Sequence, residues 1–445
     1  MDSTGKKVFL ISLGCAKNLV DSENILGILK EKGFLFASSL EDADIAIINT
    51  CGFIQPAVDE CVETILEVID KKKHGKPEKV IVAGCFVQRY GYKLRREIPE
   101  VDGWLGTGEI DKVTELLEEE AYCLAPFLIK KPTFLADHTT PRIQTTPFYS
   151  AFLKIAEGCS HNCSFCCIPA LRGPLRSRGI DSLVIEAEGL AATGVKEINL
   201  IAQDTTMYGR DLAGDVRLED LLERLLSVEG LHWIRIMYSH PFGISDRLLG
   251  LMEKEEAICP YLDLPLQHVN EDILRLMGRS NNRENPIQLM ERIRSIKRRI
   301  CVRTTLMVGF PGETDDAFRQ LYGFVEMAGF DHLGTFIYSP ERGTAAARLN
   351  GVPDREIAEE RLDAIMTLQA EISRKRNRQL INQITPVLIE GHSFETDLLL
   401  RGRISTMAPD VDGQVLINKG VGMVGEITPV LIKEAHAYDL VGEII

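Results

Sequence analysis

No run of apolar residues in this chain approaches the roughly 18–20 needed to span a bilayer. The stretch Lys6-Lys7-Val8-Phe9-Leu10-Ile11-Ser12-Leu13-Gly14-Cys15 imitates a lipoprotein leader. Its apolar run is about six residues, where a leader core has about 7–15, so it reads as a first strand and no export is expected. Basic residues are in the minority. There are 51 Lys and Arg against 65 Asp and Glu, a net charge of −14. That excludes broad, non-specific nucleic-acid binding and suits a basic partner. A disulfide framework is also missing. Eleven cysteines in 445 residues favour reduced thiols, metal ligation and a cytoplasmic setting. What remains is ordinary for a soluble globular protein, 45% hydrophobic and 26% charged, and long enough for two to four domains.

The chain is organised around Gly158-Cys159-Ser160-His161-Asn162-Cys163-Ser164-Phe165-Cys166-Cys167-Ile168-Pro169. Cys159, Cys163 and Cys166 are spaced C-x3-C-x2-C. Three thiolates this close can ligate three corners of an iron–sulfur cube and leave the fourth iron open. A plant-type ferredoxin uses C-x4-C-x2-C with a distant fourth Cys, and zinc ribbons use paired C-x2-C. Cys167 reads as a packed thiol.

Residues 7–13, 45–49 and 79–83 read as buried strands. The helix after the first is expected to open at Asp21-Ser22-Glu23, and the helix after the second near Pro56. A further acidic helix is expected over 111–120. The βαβαβα order predicts a parallel sheet. Cys15, Cys51 and Cys85 each follow the C-terminal end of a strand, and in a parallel sheet those ends share one edge. The three thiols therefore converge and imply a second three-Cys iron–sulfur site. Cys61, in a helix, and Cys123, in a linker, read as packing residues. The prolines at 126, 132, 141 and 147 mark that linker.

From 150 to about 340, six β/α units predict a partial barrel with its site at the C-terminal strand ends. Candidates there are Gln203, Asp204, Ser239, His240, Gln267, His268 and Gly309-Phe310-Pro311-Gly312-Glu313-Thr314. Residues 355–382 read as a helix whose basic run Arg374-Lys375-Arg376-Asn377-Arg378 is a solvated face bridging two domains. From about 385, short strands with glycine turns predict a small β-barrel of the oligonucleotide-binding kind. Its charge has the wrong sign for phosphate. Residues 386–445 hold four Lys or Arg against nine Asp or Glu, so the barrel suits a basic protein better than RNA. The expected division is 1–122, 123–149 (linker), 150–380 and 381–445.

The C-x3-C-x2-C stretch, with Phe165 before its last Cys, resembles the signature of the radical S-adenosylmethionine (SAM) enzymes. The whole order of parts (a three-Cys N-terminal α/β domain, a radical SAM partial (β/α)6 barrel and a TRAM-type C-terminal β-barrel) resembles the methylthiotransferases. One branch modifies a tRNA adenosine, the other an aspartate of ribosomal protein S-twelve. Four stretches resemble the second branch: Ser12-Leu13-Gly14-Cys15-Ala16-Lys17-Asn18-Leu19-Val20-Asp21-Ser22-Glu23, Ala202-Gln203-Asp204-Thr205-Thr206-Met207-Tyr208-Gly209, Asp263-Leu264-Pro265-Leu266-Gln267-His268 and Ala408-Pro409-Asp410-Val411-Asp412-Gly413. The tRNA branch typically has Gly-Gln-Asn at 202–204, Gln-Ser-Gly near 267 and a more basic C-terminal barrel.

The resemblance implies that Cys159, Cys163 and Cys166 hold the radical SAM 4Fe–4S cluster and that Cys15, Cys51 and Cys85 hold an auxiliary 4Fe–4S cluster. It implies that SAM serves as methyl donor and radical source, with Gln203, Gly309 and Gly312 as candidate SAM contacts. It also implies ribosomal protein S-twelve as substrate, an electron donor such as flavodoxin or ferredoxin, no membrane and no direct tRNA binding. A cobalamin-dependent methyltransferase would carry Asp-x-His-x-x-Gly in residues 1–150, which is absent. A two-cluster electron carrier would need four Cys per cluster.

Overall fold

A computed structural model describes residues 5–118, 125–280 and 284–445 of the chain. Cys123 and the expected end of the 111–120 helix lie outside the described residues. The described part of that helix runs Val113–Glu118.

The N-terminal sheet is parallel and six-stranded: β1 (Lys7–Ser12), β2 (Leu35–Phe36), β3 (Ile45–Thr50), β4 (Lys79–Gly84), β5 (Gly103–Leu105) and β6 (Phe127–Leu128), in the order β2-β1-β3-β4-β5-β6. The three central strands are those expected; the three outer ones are two or three residues long and carry no pattern. Helix α1 (Ala16–Glu31) follows β1, α2 (Gln55–Lys73) follows β3 and α3 (Cys85–Tyr90) follows β4.

Helix α1 starts five residues before the expected Asp21. Asp21, Ser22 and Glu23 look like cap residues but are buried and paired elsewhere. Asp21 meets Lys154 and Arg172. Ser22 Oγ donates to Ser12 Oγ at 2.8 Å. Glu23 holds Arg142 and the Thr145 backbone N–H. Interior pairing, not capping, explains that polar run.

The second sheet is parallel and comprises β7 (Ser150–Lys154), β10 (Glu197–Ile201), β11 (Trp233–Ile236), β12 (Ile258–Asp263), β13 (Cys301–Val308) and β14 (His332–Ile337), in the order β14-β13-β12-β11-β10-β7. A two-stranded ribbon, β8 (Ala156–Glu157) with β9 (Arg176–Ser177), flanks the cysteine loop. Alternation sorts the two faces. Leu153, Ile198, Leu200, Ile234 and Leu262 pack into the main core with the surrounding helices. The inner face carries Phe152, Ile201, Trp233, Tyr261 and Cys301, packed with Val20 of α1 and with Leu388 and Ala408 of the C-terminal barrel. The partial barrel is thus filled from two sides.

The C-terminal barrel is closed and five-stranded: β15 (Ile384–His392), β16 (Leu400–Ile404), β17 (Val415–Lys419), β18 (Ile427–Ala435) and β19 (Leu440–Ile444), in the order β15-β16-β17-β19-β18. The strand expected to stop at Pro429 runs on to Ala435, because Pro429 sits opposite Pro386. Two residues without N–H donors can share only a non-hydrogen-bonded pair, so the ladder loses nothing there. Helix Arg355–Arg378 stops four residues short of the expected 382 and meets this barrel, with Asn377 Nδ2 donating to His436 O at 3.1 Å. No helix among the described residues is long and apolar enough to cross a membrane.

Candidate iron–sulfur centres at a shared barrel mouth

The three N-terminal strand ends converge as parallel topology requires. Cys15 is the N-cap of α1 and Cys85 the first residue of α3, while Cys51 directly follows β3. Their closeness depends on Gly14, held at φ +94°. A Cβ there would lie 2.8 Å from Cys51 Cβ and 3.3 Å from Cys51 Sγ. Asn18 Nδ2 fastens the turn by donating to Leu13 O at 2.7 Å and Thr50 O at 3.2 Å.

Burial pushes the Cys85 thiol up to about 12 despite the pull of Arg172, and it raises Cys51. Cys15 is solvent-accessible, yet burial still opposes its thiolate. Lys17 and then Arg172 outweigh burial, and the Cys15 pKa falls below the ordinary value.

The second set lies on the loop after β8. Cys159 N donates to Gly173 O at 3.0 Å and Cys166 N to Cys163 O at 3.1 Å. Ser164 anchors the loop to the 271–276 helix end through Met277 O and Leu276 O. Gly158, at φ +79°, opens it; a Cβ there would lie 2.1 Å from Pro174 O. Burial raises Cys159 and pushes Cys166 up to about 12. Arg279 Nε points at Cys163 Sγ from 3.4 Å.

Both sets fit an iron–sulfur cluster by their donor chemistry. Each offers three soft thiols, and iron supplies the positive charge that a buried thiolate needs. The extra cysteines have other occupations. Cys61 Sγ donates to Cys51 O at 3.3 Å and accepts from Cys51 N. Cys167 Sγ points to Phe53 O at 3.6 Å.

A buried network joins the two regions. Arg172 donates from Nε to Cys85 Sγ at 3.2 Å, from Nη1 to Asp21 Oδ2 at 2.6 Å and from Nη2 to Asn18 Oδ1 at 2.8 Å. Lys154 pairs with Asp21 and with Glu157. Burial alone would raise Glu157, but Lys154 and then Arg172 lower it to about 2. Gln203 Nε2 donates to Glu157 Oε1 at 2.8 Å, and Gln203 Oε1 is buried without a partner.

The other candidates divide. Asp204 caps residues 205–207 through Thr206 N and meets His161 Nε2 at 2.6 Å. His161 stacks on His240 at 3.9 Å with planes 15° apart. Near-parallel rings direct their in-plane lone pairs into separate planes, so this trio suits a stacked brace better than a bound ion. Ser239 Oγ is buried and unpartnered. Gln267, at φ +70°, bonds through its backbone to Thr305 and Met307.

His268 is fully buried and faces Glu313 at 3.3 Å; Glu313 also accepts from Gly309 N and from Arg361. A Cβ on Gly309 would meet Ala358 Cβ at 2.8 Å, and one on Gly312 would meet Leu276 Cδ1 at 3.2 Å. Packing therefore accounts for both glycines by itself. Lys17, Glu157, Arg172 and Arg279 escaped the sequence reading. The basic run Arg172-x3-Arg176-x-Arg178 beside the cysteine loop was the available signal for one of them.

Replacing Gly14 by Ala is expected to halve the iron bound per chain by losing the N-terminal cluster. Gly158→Ala is expected to halve it by losing the other. Iron assay with EPR of the reduced variants checks this, and two unaltered signals in either variant would contradict the packing argument.

A parallel partial barrel with a C-x3-C-x2-C loop at its mouth defines a radical SAM enzyme, and residues 153–325 match the Radical SAM superfamily. Residues 7–106 match the family described as uncharacterized protein family UPF0004, and 381–445 match the TRAM domain. The chain is 46% identical to the ribosomal protein uS12 methylthiotransferase RimO of Pelobacter propionicus, over 100% of this chain and 99% of that protein. It is 46% identical to the protein of that name from Geobacter sulfurreducens, over 100% of both. The chain belongs to the RimO family of methylthiotransferases. Among solved structures, the radical SAM methyltransferase TsrM from Kitasatospora setae shares the fold. Its TM-score is 0.56 at 15% identity, covering 74% of this chain and 73% of that one.

Proposed function

We propose that this enzyme transfers a methylthio group to the β-carbon of an aspartate in ribosomal protein uS12, with Cys159, Cys163 and Cys166 holding a radical SAM 4Fe–4S cluster and Cys15, Cys51 and Cys85 an auxiliary one. The observation that carries the reading is the approach of two three-Cys sets, with Cys167 Sγ of one loop 3.6 Å from Phe53 O beside the other set and Arg172 bonded to Cys85. The working division is 1–122, 123–149, 150–380 and 381–445, in keeping with the three matched regions.

When bound, SAM at the radical cluster supplies a hydrogen-abstracting radical and the auxiliary cluster supplies the methylthio sulfur. The chain's own residues position and shield. Arg172, Lys154, Asp21 and Glu157 lock the N-terminal region onto the barrel, which fixes the spacing of the two sets. Phe165 and Phe310 meet edge to face at 6.5 Å and wall one side of the loop from water. Arg279 directs its guanidinium at Cys163 Sγ. Gln203 keeps its carbonyl oxygen free beside the loop, in a place suited to a SAM donor group.

A C–H bond on the β-carbon is not acidic enough for a side-chain base, so the reaction needs this radical chemistry and an external one-electron donor of the flavodoxin or ferredoxin kind. The substrate side is supported by the C-terminal barrel. Asp412 and Glu390 are turned inward to Arg303 and Arg403. Glu395, Asp397, Asp410, Glu426 and Glu434 remain exposed, against Lys419 and Lys433. A barrel whose exposed charge is mainly acidic complements a basic ribosomal protein and repels tRNA. The enzyme acts in the cytoplasm, where thiols stay reduced.

The test is anaerobic reaction of the reconstituted enzyme with SAM, reductant and sulfide, in one mixture with ribosomal protein uS12 and unmodified tRNA. A methylthio mass increment on an aspartate of the protein, with tRNA unchanged, is the expected result. An increment on a tRNA adenosine alone would overturn the substrate assignment.

A further inference from the structure

Among the cations around the mouth, Lys17 stands apart. It lies on the first turn of α1, two residues from Cys15, and its Nζ sits 3.2 Å from the centroid of the Tyr238 ring. Among the described residues no carboxylate lies within ion-pair distance of it. Arg176 also has no carboxylate, but it lies on β9 and donates from Nη1 to Arg172 O at 3.2 Å and Pro174 O at 3.1 Å, and the rest are engaged. Lys154 and Arg172 share Asp21 and Glu157. Arg303 is paired with Asp412. Arg279 is on the opposite side, bonded to Pro265 O and Cys163 Sγ.

The site around Lys17 is built. Tyr238 follows the C-terminal end of β11 and is held at φ +57°, a region a bulky residue rarely enters. Asp263 maintains that bend, accepting from Tyr238 N at 3.0 Å through Oδ2 and from Ser239 N at 2.8 Å through its backbone oxygen. Its other carboxylate oxygen faces Arg303 at 3.8 Å. The nearest acid is therefore committed to the strained turn, and Tyr238 supports the ammonium by its ring face.

We propose that Lys17 binds the side-chain carboxylate of the substrate aspartate and so selects the carbon presented between the two cysteine sets. This rests on the aspartate reading above. In an aspartate the reacting β-carbon is bonded directly to the carboxylate carbon, so an ion pair at Lys17 fixes that carbon one bond away. The anchor stands on the Cys15 side, where the sulfur is to be delivered. An ammonium carries three rotatable donors, so it can meet a carboxylate and keep its place on the ring. An asparagine at the same position offers no charge, and Lys17 becomes the residue that separates the two.

The experiment is equilibrium binding to the SAM-loaded holoenzyme, anaerobic and without reductant so that no turnover occurs. The probes are the ribosomal protein and the same protein with the modified aspartate replaced by asparagine. Wild-type enzyme is expected to prefer the aspartate form by roughly 10- to 100-fold, the range of a charge-assisted contact. Lys17→Met is expected to bind both forms alike, and Lys17→Arg to keep a preference. If Lys17→Met keeps the wild-type ratio, the residue only braces Tyr238 and the proposal fails. Should Lys17→Met lose its clusters, Lys17→Arg decides: loss of the preference with both clusters intact overturns the proposal. Wild-type enzyme that neither binds nor modifies the protein overturns the substrate reading itself, and this proposal with it. A retained ratio in Lys17→Met overturns the anchor alone.

Discussion

Replacing Cys159, Cys163 and Cys166 together by Ala is expected to reduce formation of 5′-deoxyadenosine from SAM to background while one cluster remains. Replacing Cys15, Cys51 and Cys85 is expected to leave that cleavage in place and to stop methylthiolation of the ribosomal protein. The asymmetry follows from where each set is fastened. The 159–166 loop is held by backbone bonds to Gly173 and Met277 and by the Ser164 hydroxyl on Leu276 O, all on the barrel side. Its shape does not depend on the N-terminal cysteines. The N-terminal set is fastened by Asn18 and by the close approach at Gly14, both on the first sheet. Among the described residues, the one direct bond between the regions at a proposed ligand is Arg172 to Cys85, and Arg172 retains Asp21, Glu157 and Asn18 when that thiol is gone. Chromatographic assay of 5′-deoxyadenosine, alongside mass spectrometry of the substrate, measures both quantities on the same sample. Equal loss of SAM cleavage in the two variants would refute the division of labour.

The positions of both cysteine sets were legible because each rests on a short-range rule. C-x3-C-x2-C is local, and a βα period puts the residue after every parallel strand on one edge. The residues that join the sets were not legible. Arg172 and Asp21 are 151 residues apart in sequence, and no periodicity marks either as the other's partner. Asp21-Ser22-Glu23 misled for the same reason: three polar residues before an apolar stretch look like a helix start, and their true partners come from the barrel for Asp21, from β1 and β3 for Ser22 and from the 141–145 segment for Glu23. Lys17 was visible as a turn residue, but Tyr238 reaches it through a left-handed bend that nothing in the local sequence announces. The acidic C-terminal barrel was read correctly in sign. Its sequence charge did not reveal that Asp412 and Glu390 face inward.

Glu197 was invisible at the sequence level, an acid opening a buried strand, and its removal should have the largest effect on stability. Its fully buried carboxylate accepts from Arg403 at 2.7 Å and 3.2 Å, from Arg235 at 2.8 Å and 3.2 Å and from Ser150 Oγ at 2.8 Å. Arg403 belongs to the C-terminal barrel and Arg235 to β11, so one carboxylate ties two parts of the chain. Glu197→Gln leaves buried Arg235 without an anion and Arg403 with Glu390 alone, and breaking such a pair from one side costs about 3–5 kcal/mol. The exposed pair of Arg355 with Glu359 is the control, since removing it costs about 0.5 kcal/mol or less.

Burial alone would raise the Glu197 pKa, but Arg403 and then Arg235 hold it well below the carboxylate range. A depressed folded pKa contributes stability above the unfolded value and loses it as pH falls toward the folded one. The deficit of Glu197→Gln is therefore full at neutral pH and shrinks below about pH 4. Urea midpoints across pH measure it, and a neutral-pH shift no larger than that of Glu359→Ala would show that the network is not a tether. Glu197 pairs with Ser150 in the register that places Lys154 opposite Ile201, at the far end of the same strands. The variant should therefore lose stability while retaining both clusters, the reverse of what the cysteine variants lose.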